Sequence, residues 1–91
     1  MNAGLLEHIR TFLRAVETGS FTAVAAEQQQ SQPTVSRQIS ALEEHLGVRL
    51  LQRTTRALTL TDEGRTYYQH ACAMLEAVDA AAAAVRPGTT A

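Results

Sequence analysis

The sequence predicts a mainly α-helical domain with three short helices, a two-stranded hairpin and a long fourth helix. Apolar residues recur at helical spacing in four segments, and Gly or Pro punctuates the boundaries between them. Two Tyr, two Phe and no Trp leave Leu, Val, Ile and Ala to build the core, a composition that favours helices. A chain of 91 residues forms one small domain. Such a domain buries only about 60 to 65% of its unfolded surface, so a partner chain would add stability.

The first two helices are read from apolar spacing and capping residues. A first amphipathic helix is expected over about residues 3 to 18, from the stripe Leu6, Ile9, Phe12, Leu13 and Val16. Gly19 ends this helix, and Ser20 or Thr22 caps a second one that runs to about residue 29. Phe21 is expected just outside the second helix as a hydrophobic anchor.

The third helix and the hairpin follow. Pro33 favours a helix start, and a core stripe then predicts a helix over about residues 33 to 46: Val35, Ile39, Leu42 and Leu46. Gly47 closes this helix. Residues 49 to 53 and 58 to 60 alternate apolar and polar side chains, which predicts a small hairpin.

A long fourth helix is expected from Thr61, whose hydroxyl caps it, to about residue 85. Apolar residues on it step by three and four, in the heptad pattern of paired helices. An isolated helix would expose this stripe, so we expect a dimer seam formed by Tyr68, Ala71, Leu75, Val78, Ala82 and Val85. Residues 86 to 91 are expected to be a flexible tail or the start of a linker.

Three helices and a two-stranded wing, in this order, are typical of a winged helix-turn-helix, whose third helix enters the DNA major groove. Residues 1 to 60 would form that unit and residues 61 to 85 the linker and dimerisation helix. Its blocks are Ser20-Phe21-Thr22, Ser31-Gln32-Pro33-Thr34-Val35-Ser36-Arg37-Gln38-Ile39, Leu42-Glu43-Glu44, Leu46-Gly47-Val48-Arg49-Leu50-Leu51, Arg53-Thr54 and Leu60-Thr61-Asp62-Glu63-Gly64. Over residues 5 to 85 they closely resemble the amino-terminal domain of LysR-type transcriptional regulators.

The resemblance implies sequence-specific binding of double-stranded DNA by a homodimer with antiparallel linker helices, at an interrupted palindrome. It also implies autoregulation, tetramers and a small-molecule effector. All three depend on an effector-binding domain outside this sequence, and no cofactor is expected in the domain itself.

Base-reading residues are expected on the outward face of the third helix. Arg37 suits a guanine edge, Gln32 or Gln38 an adenine edge, and Pro33 or the Thr34 methyl group a thymine methyl group. An ordinary solvated helix face is the alternative interpretation of these polar residues.

Backbone contacts are expected from five residues: Ser20, Thr22, Ser36, Arg53 and Arg56. For Ser20 and Thr22, helix capping is an alternative role that can coexist with phosphate binding. For the two arginines the alternative is a surface Arg beside an acid.

Four further expectations concern polar residues. Gln28 and Gln30 stand where the family usually carries apolar residues, and two amides there would weaken packing and loosen the turn. Glu43 and Glu44 are interpreted as solvated. His8, His45 and His70 lack metal-ligand spacing, and no catalytic motif is evident, so neither a metal site nor an enzyme is expected. Cys72 is expected to pack at the helix pair rather than to sense oxidants.

The net charge of −1 argues against a nucleic-acid partner, since most DNA-binding domains are basic. All eight basic residues are Arg, which a GC-rich genome also produces. The better indication is local, because residues 47 to 61 hold three Arg and no acid. A protein-interaction module is therefore the rival hypothesis. The sequence has no apolar run long enough to cross a bilayer and no secretion signal, so a cytoplasmic protein is expected.

Overall fold

The computed structural model describes residues 4–53 and 58–88. Six elements follow one another in the predicted order: α1 (Leu5–Thr18), α2 (Phe21–Gln28), α3 (Gln32–Leu46), β1 (Leu51–Arg53), β2 (Leu58–Leu60) and α4 (Asp62–Val85). The prediction of a mainly helical fold with a two-stranded wing and a long last helix is confirmed. Two bounds differ from expectation. β1 begins at Leu51 rather than at residue 49, and Phe21 is the first residue of α2 instead of lying outside it.

Hydroxyl side chains define where three of the helices begin. Ser20 Oγ accepts a hydrogen bond from Ala23 N at 3.1 Å, and Ser31 Oγ accepts one from Thr34 N at 3.2 Å. Thr61 plays the same part for α4, where its Oγ1 accepts from Gly64 N at 2.9 Å. Each cap satisfies a backbone N–H that the first turn of a helix leaves without a partner.

The core lies where α1, α2 and α3 meet, with the base of the hairpin and the first half of α4 closing it. Phe12 is fully buried at its centre, and its ring lies 5.8 Å from that of Tyr67. The remaining core is mostly aliphatic: Ile9, Leu13, Ala15, Val24, Ala25, Val35, Ile39, Leu42, Leu50, Leu51, Ala71 and Leu75. The strands pair antiparallel with Leu51 opposite Leu60 and Arg53 opposite Leu58.

Glu43 is buried, so the expectation that it is solvated is wrong. Only 6% of this residue is exposed, and its Oε2 accepts hydrogen bonds from the backbone N–H groups of Leu50 at 2.8 Å and Leu51 at 3.2 Å. Leu50 precedes β1 and Leu51 begins it, and the buried carboxylate supplies the acceptor that both N–H groups need. Glu43 therefore fastens the entry to the wing to the end of α3. Glu44 is exposed, as expected.

The turn between α2 and α3 is closed rather than loose. Gln29 adopts a left-handed conformation with φ 56° and ψ 45°, and its N–H donates to the carbonyl groups at the end of α2. Gln30 N also donates to Ala25 O, at 2.9 Å. These backbone hydrogen bonds define the geometry of the turn, and weaker packing at the two glutamines stays a prediction. Gln30 is exposed and Gln28 is half-buried.

The two halves of α4 have different environments. In the first half Ala71 is fully buried and Leu75 is 9% exposed, both against the core. The Tyr68 ring meets Phe12 edge-on at 6.4 Å, and its hydroxyl donates to Glu17 Oε2 at 3.2 Å. Hydrogen bonding with Cys72, followed by burial, raises the pKa of Tyr68 to about 12, so the phenol keeps its proton.

These contacts correct the predicted dimer seam. Ala71 and Leu75 cannot serve a partner, because the heptad pattern in this half of α4 reflects packing against the chain's own core. Further along the helix Val78 is 37% exposed and Val85 81%, and Ala82 is exposed too. Cys72 is half-buried beside the core. Within residues 4–53 and 58–88, no helix combines the length and apolar character needed to cross a bilayer.

Candidate nucleic-acid interface

The first half of α3 has one buried side and one exposed side. Val35, Ile39 and Leu42 are completely buried beneath it. On the other side Gln32, Pro33 and Arg37 are exposed, while Thr34, Ser36 and Gln38 are half-buried. Pro33 and Arg37 therefore lie at the centre of the outward face, while Ser36 and Gln38 lie at its two edges.

Arg37 lies above the first turn of α3. Its Nη2 donates to Thr34 Oγ1 at 3.2 Å, and Thr34 Oγ1 is 2.9 Å from Ser31 Oγ. Both contacts are exposed. Since a guanidinium carries five N–H donors, Arg37 keeps donors for an external acceptor while Thr34 holds its position.

Arg53 joins the wing to α3. Its Nη1 donates to Ser36 Oγ at 3.1 Å and its Nη2 lies 3.5 Å from Glu43 Oε1. The guanidinium also lies over the ring of Phe21, 5.1 Å from the ring centroid, a favourable cation–π arrangement. The side chain is still 28% exposed. The structure thus brings Arg53 and Ser36, two predicted phosphate contacts, to one place.

The other predicted site residues have different positions. Ser20 caps α2, and Thr22 is exposed on the first turn of the same helix. Gln38 Oε1 accepts a hydrogen bond from buried Thr11 at 2.6 Å, so this amide belongs partly to the interior. Arg56, predicted to contact backbone from the tip of the wing, lies outside the described residues.

The segment that forms the outward face of α3 has no acidic residue, and Glu43 lies beside Arg53 where that segment ends. Residues 28 to 42 contain none, and Glu27, next to them, forms a bidentate pair with Arg14 at 3.0 and 2.7 Å. Those hydrogen bonds lower the pKa of the Glu27 carboxyl. Arg10 and Arg65 likewise pair with Asp79 and Asp62 elsewhere. Arg37 is therefore a positive charge in an acid-free segment of a chain whose net charge is −1.

Sequence reasoning missed three residues that shape this site: Thr11, Ser40 and Glu43. Ser40 Oγ lies 3.5 Å from Arg53 Nη2, one helical turn from Ser36. The spacing of Ser36 and Ser40 on one helix face was the available signal for this pair. In the described part of the chain, no three His, Cys, Asp or Glu side chains are grouped as metal ligands would be.

A family model and curated relatives both match this chain to bacterial helix-turn-helix regulators. The family described as "Bacterial regulatory helix-turn-helix protein, lysR family" matches residues 6–65. The chain is 51% identical over 77 residues to the probable HTH-type transcriptional regulator LtrA of Klebsiella pneumoniae, covering 85% of this chain and 25% of LtrA. It is 46% identical over 74 residues to the HTH-type transcriptional regulator BenM of Acinetobacter baylyi, covering 81% of this chain and 24% of BenM. The chain thus spans about a quarter of the length of these relatives.

Solved structures agree with the sequence comparison. The BenM_DBD complex with catB site 1 DNA superposes with a TM-score of 0.77 at 46% identity, covering 81% of this chain and 83% of that one. Full-length CbnR complexed with its target DNA superposes with a TM-score of 0.78 at 34% identity, covering 84% of this chain and 26% of that one. On its sequence and its fold, this chain belongs to the lysR family of bacterial regulatory helix-turn-helix proteins.

Proposed function

We propose that this domain binds double-stranded DNA with sequence preference, as a homodimer, and so directs a transcription regulator to its site. The observation that carries the proposal is the outward face of α3, where an exposed Arg37 follows an exposed Gln32 and Pro33 in an acid-free segment. The BenM_DBD and CbnR complexes with DNA support it by similarity.

In this proposal α3 enters the major groove and reads bases. Arg37 forms two hydrogen bonds to O6 and N7 of a guanine. Gln32 reads an adenine edge, and Pro33 and the Thr34 methyl group pack against a thymine methyl group.

The surrounding residues position the helix on the phosphates. Arg53 and Ser36 bind one phosphate from the junction of α3 and the wing, while Ser20 and Thr22 offer the amino end of α2 to another. Arg56 adds a backbone or minor-groove contact from the wing. These contacts provide affinity with little sequence information.

The distal half of α4 pairs two copies, so that the dimer matches an interrupted palindrome. Val78, Ala82 and Val85 supply the seam. The relatives are about four times as long as the part that matches. Effector binding and tetramer formation are therefore proposed for a longer protein, acting in the cytoplasm.

Selection of bound sequences from random duplex DNA tests the proposal. We expect enrichment of a two-fold symmetric site, and affinity that falls steeply as salt rises from about 50 to 200 mM, because bound phosphates release counterions. A protein-interaction module would enrich no sequence and would show little dependence on salt. That result would refute DNA binding as the function of this domain.

A further inference from the structure

Three helices are joined by a short chain of hydrogen bonds behind the outward face of α3. Gln28 Nε2, on α2, donates to Thr11 Oγ1 on α1 at 2.9 Å. Thr11 Oγ1 in turn donates to Gln38 Oε1 on α3 at 2.6 Å. Thr11 is completely buried, so water does not compete for its hydroxyl. The chain fixes how the half-buried Gln38 amide is turned.

A hydroxyl group has one proton to give, and Thr11 gives it to the amide oxygen of Gln38. Gln28 uses an N–H donor on the Thr11 oxygen, so the Thr11 proton is directed to Gln38. Gln28 Oε1 is buried and has no hydrogen-bond partner among the residues that the structure describes. In this series of hydrogen bonds the Gln28 amide therefore acts only as a donor, and the Gln38 amide acts only as an acceptor.

We propose that Thr11 is a positioning residue that makes Gln38 a donor-only base reader, selecting a guanine or thymine in place of adenine. The inference rests on the proposed binding of α3 in the major groove. Reading adenine requires the amide oxygen and nitrogen side by side, accepting from N6 and donating to N7. Thr11 turns Oε1 toward the interior, which leaves the Nε2 donors for guanine O6 or N7 or for thymine O4. Adenine offers these donors N7 alone, and its own N6 donors would face them without an acceptor.

The proposal changes the interpretation of Gln38 but not that of Gln32. The sequence alone assigns either glutamine to an adenine edge. Gln32 is exposed at the first position of α3, where both ends of its amide can turn to a base. Only Gln38 has its oxygen bound to a buried side chain.

Selection from random duplex DNA with four variants of the full chain tests this inference. Gln38→Ala locates the base pair that Gln38 contacts, because preference there should be lost. Thr11→Val removes the hydroxyl at nearly constant volume, and Thr11→Ser retains it. At that base pair we expect wild type and Thr11→Ser to prefer guanine or thymine, and Thr11→Val to shift about tenfold toward adenine. Circular dichroism confirms that each variant is folded.

Gln38→Glu tests the same inference without altering the interior. A carboxylate can accept from Thr11 but has no donor, so the preference for guanine or thymine should disappear even if Thr11→Val does not fold. Adenine preference in wild type, an unchanged preference in folded Thr11→Val or in Gln38→Glu, or equal losses on all sequences in Gln38→Ala would each overturn the proposal. Wild type that enriches no sequence at all would refute the proposed function itself, and the inference with it.

Discussion

The junction of α3 with the wing and the distal half of α4 differ in how many contacts their side chains make within the chain. At the junction Arg53, Glu43 and Ser36 are held by hydrogen bonds, ion pairing and the ring of Phe21. In the distal half of α4 the Val85 side chain is exposed, and a run of five alanines precedes it. The first region has its conformation fixed within one chain, whereas the second leaves its valines exposed on that chain.

This contrast separates two requirements of the proposed function. A surface that reads bases must be held in place before DNA arrives, since ordering it on binding costs affinity. A surface that pairs two copies needs apolar area left free in the monomer. The two regions should therefore respond differently to substitution, the first through stability and base preference and the second through assembly.

The largest effect is expected from charges in the distal half of α4. Val78→Glu combined with Val85→Glu places acids in the proposed seam of both copies, so dimers should dissociate. Affinity for a palindrome should fall by about a hundredfold or more, while half-site binding persists. Analytical ultracentrifugation and titration with both duplexes measure the two effects.

Ala80→Glu with Ala84→Glu is the matched control, because it adds the same charge to the opposite side of the helix. Leu75 is unsuitable for this experiment, since it is buried in the monomer. If the Val78 and Val85 variant dimerises like wild type, or if wild type is monomeric at high micromolar concentration, α4 does not form the seam.

The next effect concerns the junction of the wing with α4. A Cβ at Gly64 would overlap the carbonyl oxygen of Leu50. That oxygen also accepts a hydrogen bond from Thr61 N at 3.0 Å, so moving the Leu50 carbonyl group aside would break this hydrogen bond. We expect Gly64→Ala to lower the free energy of unfolding by about 3 kcal/mol. Urea denaturation measures this loss. The control is Gln69→Ala, exposed on the same helix, which should change the free energy of unfolding by less than about 0.5 kcal/mol. Equal changes in the two variants would show that the close approach of Gly64 to Leu50 is unimportant.

A somewhat smaller effect is expected from Glu43. Glu43→Ala leaves the buried N–H groups of Leu50 and Leu51 without their acceptor, which should cost about 2 kcal/mol of stability. Glu43→Gln retains an acceptor oxygen and should lose about half as much. Glu44→Ala, exposed next to it, is the control. Thermal unfolding of the three variants measures the series, and an equal loss in Glu43→Ala and Glu44→Ala would contradict the proposed support of the wing.

The smallest effect is expected in the turn before α3. Gln29 has φ 56°, a conformation that disfavours residues with a Cβ, so Gln29→Gly should raise the free energy of unfolding by about 0.5 to 1 kcal/mol. Gln30→Gly should instead lower it slightly, because it only adds freedom to the unfolded chain. Thermal unfolding of both variants measures these changes. Destabilisation by Gln29→Gly would mean that the Gln29 side chain makes stabilising contacts of its own.

The elements, caps and outward face of α3 were predictable because they depend on residues a few positions apart. Ser31, Pro33 and the stripe from Val35 to Leu42 suffice to orient α3. The roles of Thr11 and Glu43 were not predictable, because their partners lie 27 and 7 residues away in directions that only the packed helices define. The heptad stripe of α4 was misread in part, since the same spacing serves intramolecular packing at Ala71 and a proposed partner at Val78.

The central claim is that the outward face of α3 reads bases, and Arg37→Ala tests it most directly. Affinity of wild type and variant is measured on the selected site and on random duplex at the same salt concentration, with Arg10→Ala as a control. Arg37→Ala should cost about 1 to 3 kcal/mol on the selected site and much less on random DNA. Arg10, paired with Asp79 on α4, should affect neither. Equal losses for Arg37→Ala on both duplexes would show that Arg37 touches only phosphate, and base reading by this residue would be refuted.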